Sequence, residues 1–284
     1  MNERPWILRV RSGKRLHAHA VISPGEALRV GHGAPSEFAI PSDRSLGLVH
    51  FTLHNEGGSC TLVDGGTPEG TQVDGRRVTS PALSHGAWLR AGETDFSIYR
   101  EASTPPLDEP HETAEKRAAL AGLAALRTEG EGLFGVFDSA RDMRILELLR
   151  ESIEEVASLY EGMAGEAMAD AAPYIVSFPA REEPSLLSRL VHEGWGQSWG
   201  VFLTSARPLA DVRRHLRRFL IVKDDTTEER LYFRYYDPRV LRVFLPTCSA
   251  RQRAELFGEV SRFLVEAEDG QLVTFEKGAT RGGT

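Results

Sequence analysis

Proton-transfer chemistry in this chain would fall to Asp138, Asp142, Glu161 and Asp237, four carboxylates set among apolar and aromatic residues of the C-terminal half. Gathered in one cleft, such groups exchange protons with a substrate when burial or like charge moves their pKa values apart. The sequence by itself does not gather them. The other chemical signals are thinner. His17 and His19 form an HxH on one strand face with no third ligand at local spacing, so no metal site is expected. Cys60 and Cys248 lie far apart, outside any CxxC or Cys/His pattern. They supply no zinc ligand set and fit a reducing compartment. There is no GxSxG elbow, no HExxH and no phosphate-cradling GxxxxGKS/T loop. The run GWGQSWG (194–200) has only the outward spacing of a dinucleotide loop. It follows a helical pattern rather than a strand, and Trp195 and Trp199 fill the space a phosphate needs. These observations predict a non-enzyme, with no catalytic residue, cofactor or metal.

Composition sets the frame for what must position these residues. The 284 residues are 41 % apolar and 26 % charged, ordinary for a globular chain. The length suits two domains at about 150 residues each. Lys and Arg total 34 against 41 Asp and Glu, a net charge of −7 that disfavours nucleic acid as a partner. No run of about 18 apolar residues is present to span a membrane. The N-terminal MNERPWILRVRSGKRLHAHA carries charges where a signal peptide needs an apolar core. The expectation is a cytoplasmic protein without a membrane partner.

Charge divides the chain into three parts. Residues 1–101 carry 11 basic and 11 acidic side chains, 102–132 carry three and six, and 133–284 carry 20 and 24. The first part alternates apolar and polar residues in short runs (WILRVR, ALRVG, HFTLH, CTLVD, AWLRA, FSIYR) separated by Gly, Pro, Ser and Asp, the pattern of a β-sandwich. The middle part opens with ASTPPLDEPHE, reads as an acidic, Pro-rich linker, and ends in a short tethering helix over ETAEKRAALAGLAALR. The third part mixes buried strands (LFGVFD, YIVSF, QLVTFEK) with amphipathic helices (MRILELLRESI, PSLLSRLVHEG, PLADVRRHLRRFL, DPRVLRVFL), which predicts an α/β or α+β domain. RLYFRYY reads as a further strand.

Three blocks of the first part resemble the forkhead-associated (FHA) domain, a sandwich that in its active form binds phosphothreonine peptides through loops at one end. VGHG resembles the family's Gly-Arg, with His32 in the Arg place. DRSLGLVHFTL resembles its Ser-Arg-x-His, with His50 matching and Gly47 and Leu48 in the Ser and Arg places. DGGTPEGTQVDGR resembles its Asp-x-x-Ser-x-Asn-Gly-Thr-x-Val-Asn-Gly: Asp64, Thr67, Gly70, Thr71, Val73 and Gly75 match, and Glu69 and Asp74 replace the two Asn. A phosphate needs charge-assisted donors. Leu48 donates nothing and Glu69 repels, so a degenerate reader is expected, with His50, Gly70 and Thr71 kept for loop packing and no phosphopeptide bound.

Five blocks of the third part, FDSARD, SLYEG, APYIVSF, GWGQSWGVFLTS and LRRFLIV…LYFRYYDPRVLRVFLP, resemble in order and spacing the adaptor domain of bacterial type VI secretion, a family long catalogued as a domain of unknown function. The resemblance spans about residues 133–270. It implies a chaperone that binds a toxin effector and helps load it onto the VgrG spike. The partner-binding candidates are Tyr160, Glu161, Trp195, Trp199, Arg213, Arg217, Tyr235, Tyr236, Asp237 and Arg239. For the two tryptophans the residues leave core packing and a partner hot spot both open. For Arg213, Arg214, Arg217 and Arg218, a solvated ion-paired face stands beside a docking stripe for an acidic partner. Asp237 and Pro238 read as the N-cap and first turn of a helix. The alternative function is a phosphothreonine-dependent scaffold regulating the same secretion system.

Overall fold

A computed structural model describes residues 3–13, 15, 18–106, 112–127, 130–161, 168–180, 185–223 and 229–278. The chain divides into two compact units, Met1–Pro105 with Arg150–Ile153, and Pro106–Leu149 with Glu154–Thr284. His17 of the HxH pair lies outside the described residues, as do parts of the 102–132 segment. His19 is described: burial, then the charge of Arg9, pushes its imidazole down to about 4, so it is neutral at physiological pH.

The N-terminal unit is a β-sandwich. Its strands are Trp6–Ser12 (β1), His19–Ile22 (β2), Ala27–Gly31 (β3), Phe38–Ala39 (β4), Phe51–Glu56 (β5), Ser59–Asp64 (β6), Thr71–Val73 (β7), Arg76–Val78 (β8), Ala82–Leu83 (β9), Trp88–Ala91 (β10) and Thr94–Arg100 (β11). They form two sheets, β2-β1-β11-β10-β7-β8 and β4-β3-β5-β6-β9, antiparallel apart from the short β3–β4 pair. Period-two patterning sends one face of each inward. Leu8, Val10, Val30, Phe51, Leu53, Leu62, Leu89, Phe96 and Ile98 fill the space between them. Phe51 and Phe96 meet edge to face at 5.7 Å. Buried Asp43 ties a loop to this core: Oδ2 accepts from Glu93 N–H at 3.0 Å and Thr94 Oγ1 at 2.6 Å, and Oδ1 from Ser45 N–H at 3.1 Å.

The C-terminal unit is built on one sheet of Gly132–Asp138 (β12), Val156–Ser158 (β13), Pro173–Ser177 (β14), Gly200–Ser205 (β15), Arg262–Glu266 (β18) and Leu272–Glu276 (β19), in the order β13-β14-β12-β15-β18-β19. Every pairing in it is antiparallel. This decides the class left open by the sequence: the unit is α+β. The helices are Ala114–Leu126 (α1), Met143–Arg150 (α2), Leu186–Gly194 (α3), Leu209–Arg217 (α4), Pro238–Thr247 (α5) and Ala250–Phe257 (α6).

Helices cover both faces of the sheet. Leu133, Phe137, Val176 and Phe202 point to one side and pack with α1, α2 and α3 through Leu123, Ile145, Leu149, Leu187 and Leu190. Phe134, Val136, Ile175, Val201, Leu203 and Phe263 point to the other and meet Leu209, Val212, Leu216, Leu241, Leu245 and Phe257. Two-sided burial is why LFGVFD and YIVSF are apolar at consecutive positions rather than alternately.

The structure corrects two expectations and adds elements the sequence reading lacked. Helix α1, expected as a light tether, is a core helix: Ala119 and Leu123 are buried, and Thr113 caps its start at Lys116 N–H. RLYFRYY is a strand only over Arg230–Tyr232 (β17), which pairs with Ile221–Lys223 (β16) as a hairpin outside the main sheet. From Phe233 the chain turns toward α5. The short strands β4, β8 and β9 of the sandwich, strands β13, β16 and β18, and helix α6 are additions to the elements expected from the sequence. Helix α6 buries only Leu256 and Phe257, too few residues to make a periodic pattern.

Acid should loosen the sandwich through Asp43. Burial works against its ionised form, but hydrogen bonds from Ser45 and Thr94 hold its carboxyl below the usual aspartate range. The unfolded chain therefore takes up this proton first, so the contribution is full above the unfolded aspartate pKa of about 3.9, and fades as pH falls through the lower folded value. Hydrogen-exchange protection of β10 and β11 should decline over that window, and Asp43→Asn should be less protected at neutral pH with a flatter acid dependence.

Candidate protein-interaction surface

The β16–β17 hairpin borders a cleft of about 390 Å³ lined by Leu159, Tyr160, Glu161, Met168, Arg217, Arg218, Leu220, Ile221, Arg230 and Tyr232. Ile221 and Tyr232 are directly paired across the hairpin and share a face. Tyr232 is 73 % exposed, Met168 50 % and Ile221 42 %. Three large apolar side chains so close together and so open to water are a feature that core packing does not explain. Tyr160, Glu161 and Arg217 of the sequence-derived candidates fall here, with Arg213 one helical turn from Arg217.

Arginines hold the surrounding carboxylates. Glu161 accepts from Arg213 at 2.6 Å and from Arg217 at 2.5 Å, and the same two guanidinium groups donate to the carbonyls of Ser158 and Leu159. Burial opposes ionisation of Glu161, but the two arginines prevail and keep its carboxyl below the usual range. Asp237 caps α5 at Arg239 N–H and takes the Arg239 side chain bidentately, at 3.0 and 2.6 Å. Its carboxyl is likewise low, the Arg239 bonds outweighing burial. Asp138 is buried against Arg234. The carboxylates singled out at 138, 161 and 237 thus have separate arginine partners, an arrangement that favours fixed ion pairs over a proton-exchanging cleft. Arg214 pairs with Asp211 at 2.9 Å, and Arg218 donates to the His215 ring at 2.7 Å, so the four arginines near α4 are all engaged within the unit.

The aromatic candidates lie mostly inside. Tyr235 is fully buried and Tyr236 nearly so. Tyr236, whose ionisation burial suppresses, shares a side-chain hydrogen bond with Tyr160. Tyr235 packs on Phe233 and Tyr236, and its hydroxyl has no partner among the described residues. The aromatic docking surface expected from RLYFRYY is a core layer except at Tyr232, because the chain leaves the hairpin after that residue.

Trp195 and Trp199 are also in the core, at 7 % and 4 % exposure. Trp195 Nε1 donates to Gly270 O at 2.8 Å. A side chain at Gly194 would strike the Trp199 ring, its Cβ coming within 2.3 Å of Cε3, so the glycine is there for the ring. The turn between them is held by Glu266, a residue the sequence reading missed. Its buried carboxylate accepts from Gly196 N–H at 2.6 Å and Ser198 N–H at 2.7 Å. The anion-receptive backbone of GWGQSWG is therefore occupied by the protein's own carboxylate. Glu266 lies 66 residues beyond Trp199's strand start, and no local signal marks it.

In the sandwich, His50 is fully buried and staples two loops, the one before β5 and the one between β6 and β7. Gly47 N–H donates to its Nδ1 at 3.1 Å, which leaves the proton on Nε2, facing Gly70 O and Thr67 Oγ1, both at 3.2 Å. Thr71 Oγ1 donates to Asp64 at 2.7 Å, and His32 Nδ1 to Leu46 O at 2.6 Å. Gly31 permits the close approach of β3 to the 47–48 backbone: a Cβ there would lie 2.3 Å from Leu48 O. Leu48 is 59 % exposed, and Glu69 is exposed. Among the described residues no three His, Cys, Asp or Glu side chains gather as a metal site, and no helix is long and apolar enough to cross a membrane.

Replacing the turn's carboxylate, Glu266→Gln, should cost about 2 kcal/mol by weakening two charge-assisted bonds, seen as a lower denaturant midpoint at unchanged slope. Tyr235→Phe removes a hydroxyl that is buried without a partner. It should leave the unfolding free energy unchanged or raise it by up to about 1 kcal/mol, read from the denaturant midpoint.

Comparison with known proteins adds three findings. No curated protein matches the chain. Among solved structures, similarity covers the N-terminal third: the FHA domain of a Chlamydia trachomatis protein (24 % identity, 34 % of this chain and 99 % of that one, TM-score 0.33), the FHA domain of an Arabidopsis thaliana hypothetical protein (24 %, 38 % and 93 %, TM-score 0.34), and Mycobacterium tuberculosis EmbR in complex with a low-affinity phosphopeptide (16 %, 36 % and 26 %, TM-score 0.32). Residues 133–255, which carry Glu161, the α4 arginines and the hairpin cleft, match the family described as Domain of unknown function (DUF4123).

Proposed function

We propose that this chain is a non-enzymatic adaptor that binds a type VI secretion effector and helps load it onto the VgrG spike, with the FHA-like sandwich as a second protein-binding module. The observation that carries the reading is the open, arginine-lined apolar cleft at the β16–β17 hairpin, within the region that matches DUF4123. Exposed tyrosine and arginine side chains around a shallow apolar surface are the composition of protein-binding hot spots. The neutralised carboxylates at 138, 161 and 237 agree with a binding role. So do the internal duties of Trp195, Trp199 and Glu266, which leave the GWGQSWG turn no free receptor for a cofactor phosphate.

The sandwich contributes through its loops. His50 and Gly47 bond to each other or to loop backbone, Leu48 presents an apolar surface, and Glu69 presents a negative one. This composition favours an unphosphorylated partner over a phosphothreonine. Two binding modules on one chain hold cargo and carrier at a high effective concentration.

Affinity purification of the tagged full chain from its native bacterium, with and without phosphatase treatment, tests the proposal by mass spectrometry. Co-purification of a VgrG and a toxin-like protein, indifferent to phosphatase, is expected. Loss of the partners on phosphatase treatment would instead establish the phosphothreonine-dependent reading, and absence of both proteins would overturn the adaptor role.

A further inference from the structure

The hairpin cleft has a charge opposite to that of the chain that carries it. Over its full length the chain is net −7. Yet the charged residues lining the cleft are Arg217, Arg218 and Arg230 against the single carboxylate Glu161. That carboxylate is itself shared between Arg217 and Arg213. Arg230 is exposed and has no carboxylate partner among the described residues. The floor and walls are apolar or aromatic: Leu159, Tyr160, Met168, Leu220, Ile221 and Tyr232.

Strand alternation decides which hairpin residues belong to this surface. Arg230 and Tyr232 of β17 fall on one face and Leu231 on the other. Tyr232 is paired with Ile221 of β16, so the cleft side of the hairpin presents Ile221, Arg230 and Tyr232 together. An apolar strip beside an arginine rim takes a ligand with the converse pattern. Apolar side chains cover Met168, Ile221 and Tyr232, and carboxylates reach the exposed guanidinium groups of Arg230 and Arg218, the latter through the donors its bond to the His215 ring leaves over.

We propose that this cleft binds a short peptide segment of a partner protein whose apolar side chains are flanked by aspartate or glutamate. The inference deepens the adaptor reading and takes from it that the partner is a protein. Local complementarity is what lets an acidic segment approach a chain of like overall charge.

The cleft is tested by selecting displayed random 12-residue peptides on the full-length protein, with parallel selection on Tyr232→Asp and Met168→Asp. Both side chains are at least half exposed, so both variants should keep the wild-type melting temperature. Selected peptides should combine Leu, Ile, Phe or Tyr with Asp or Glu. A synthetic member should bind at least tenfold more weakly to either variant, and at least tenfold more weakly when its acids are changed to lysine. A selected pool with no acidic enrichment, or one that binds the variants equally, overturns the proposal. Binding of phosphatidylserine vesicles that Tyr232→Asp abolishes, with no peptide selected, would assign the surface to a membrane instead.

The adaptor reading is scored separately. If Tyr232→Asp loses the peptides but the tagged chain still recovers the effector, the cleft has a peptide ligand other than the cargo-binding segment. If the wild-type chain recovers no effector while the peptides bind, the cleft stands and the secretion role falls.

Discussion

Two-sided burial of an antiparallel sheet is the constraint on which the C-terminal unit depends. Its strands carry apolar residues on consecutive positions, so both faces must be covered, one by α1, α2 and α3 and the other by α4, α5 and α6. Covering both faces consumes nearly every large apolar and aromatic side chain in the unit. Among the described residues of the unit, Met143, Met168, Ile221, Leu231, Tyr232 and Val243 remain exposed after that demand has been met, and three of them, Met168, Ile221 and Tyr232, line one cleft beside a hairpin that stands outside the sheet. Three such side chains grouped in one cleft, with arginines beside them, have a different meaning from exposed residues that stand singly, such as Met143 and Val243.

Arginine organises the polar layer around that core. Arg213 and Arg217 converge on Glu161 and also donate to the Ser158 and Leu159 carbonyls at the end of β13, which fixes α4 against the segment that leads from this strand into the cleft. Arg234 and Arg239 neutralise Asp138 and Asp237 at the other end of the same aromatic segment. The same economy appears at Glu266, whose carboxylate fills the turn between the two tryptophans. Potentially reactive groups are thereby spent on internal structure, and the surface that is left is suited to contact.

The sandwich follows a comparable logic with fewer charges. His50 and Asp43 each tie loops down from buried positions, using an imidazole ring in one case and a carboxylate in the other. Leu48 and Glu69 are on the outside, where neither side chain is needed for the packing of the sandwich.

Elements with a strong period were legible from sequence alone: the alternating strands of the sandwich, the amphipathic helices α2, α3, α4 and α5, and the Asp237-Pro238 helix start. These depend on the residue types of a single segment, and a local pattern is complete within it. The tertiary structure decided whether an aromatic residue is buried or presented. Tyr232 and Tyr235 are three residues apart in one aromatic run, yet one is open to water and the other sealed, because the chain leaves the hairpin between them. The partner of each charge was decided the same way, Glu266 reaching back to Gly196 and Arg234 to Asp138 across 70 and 96 residues. Burial and ion pairing are properties of the space between segments, and no single segment contains the information that fixes them.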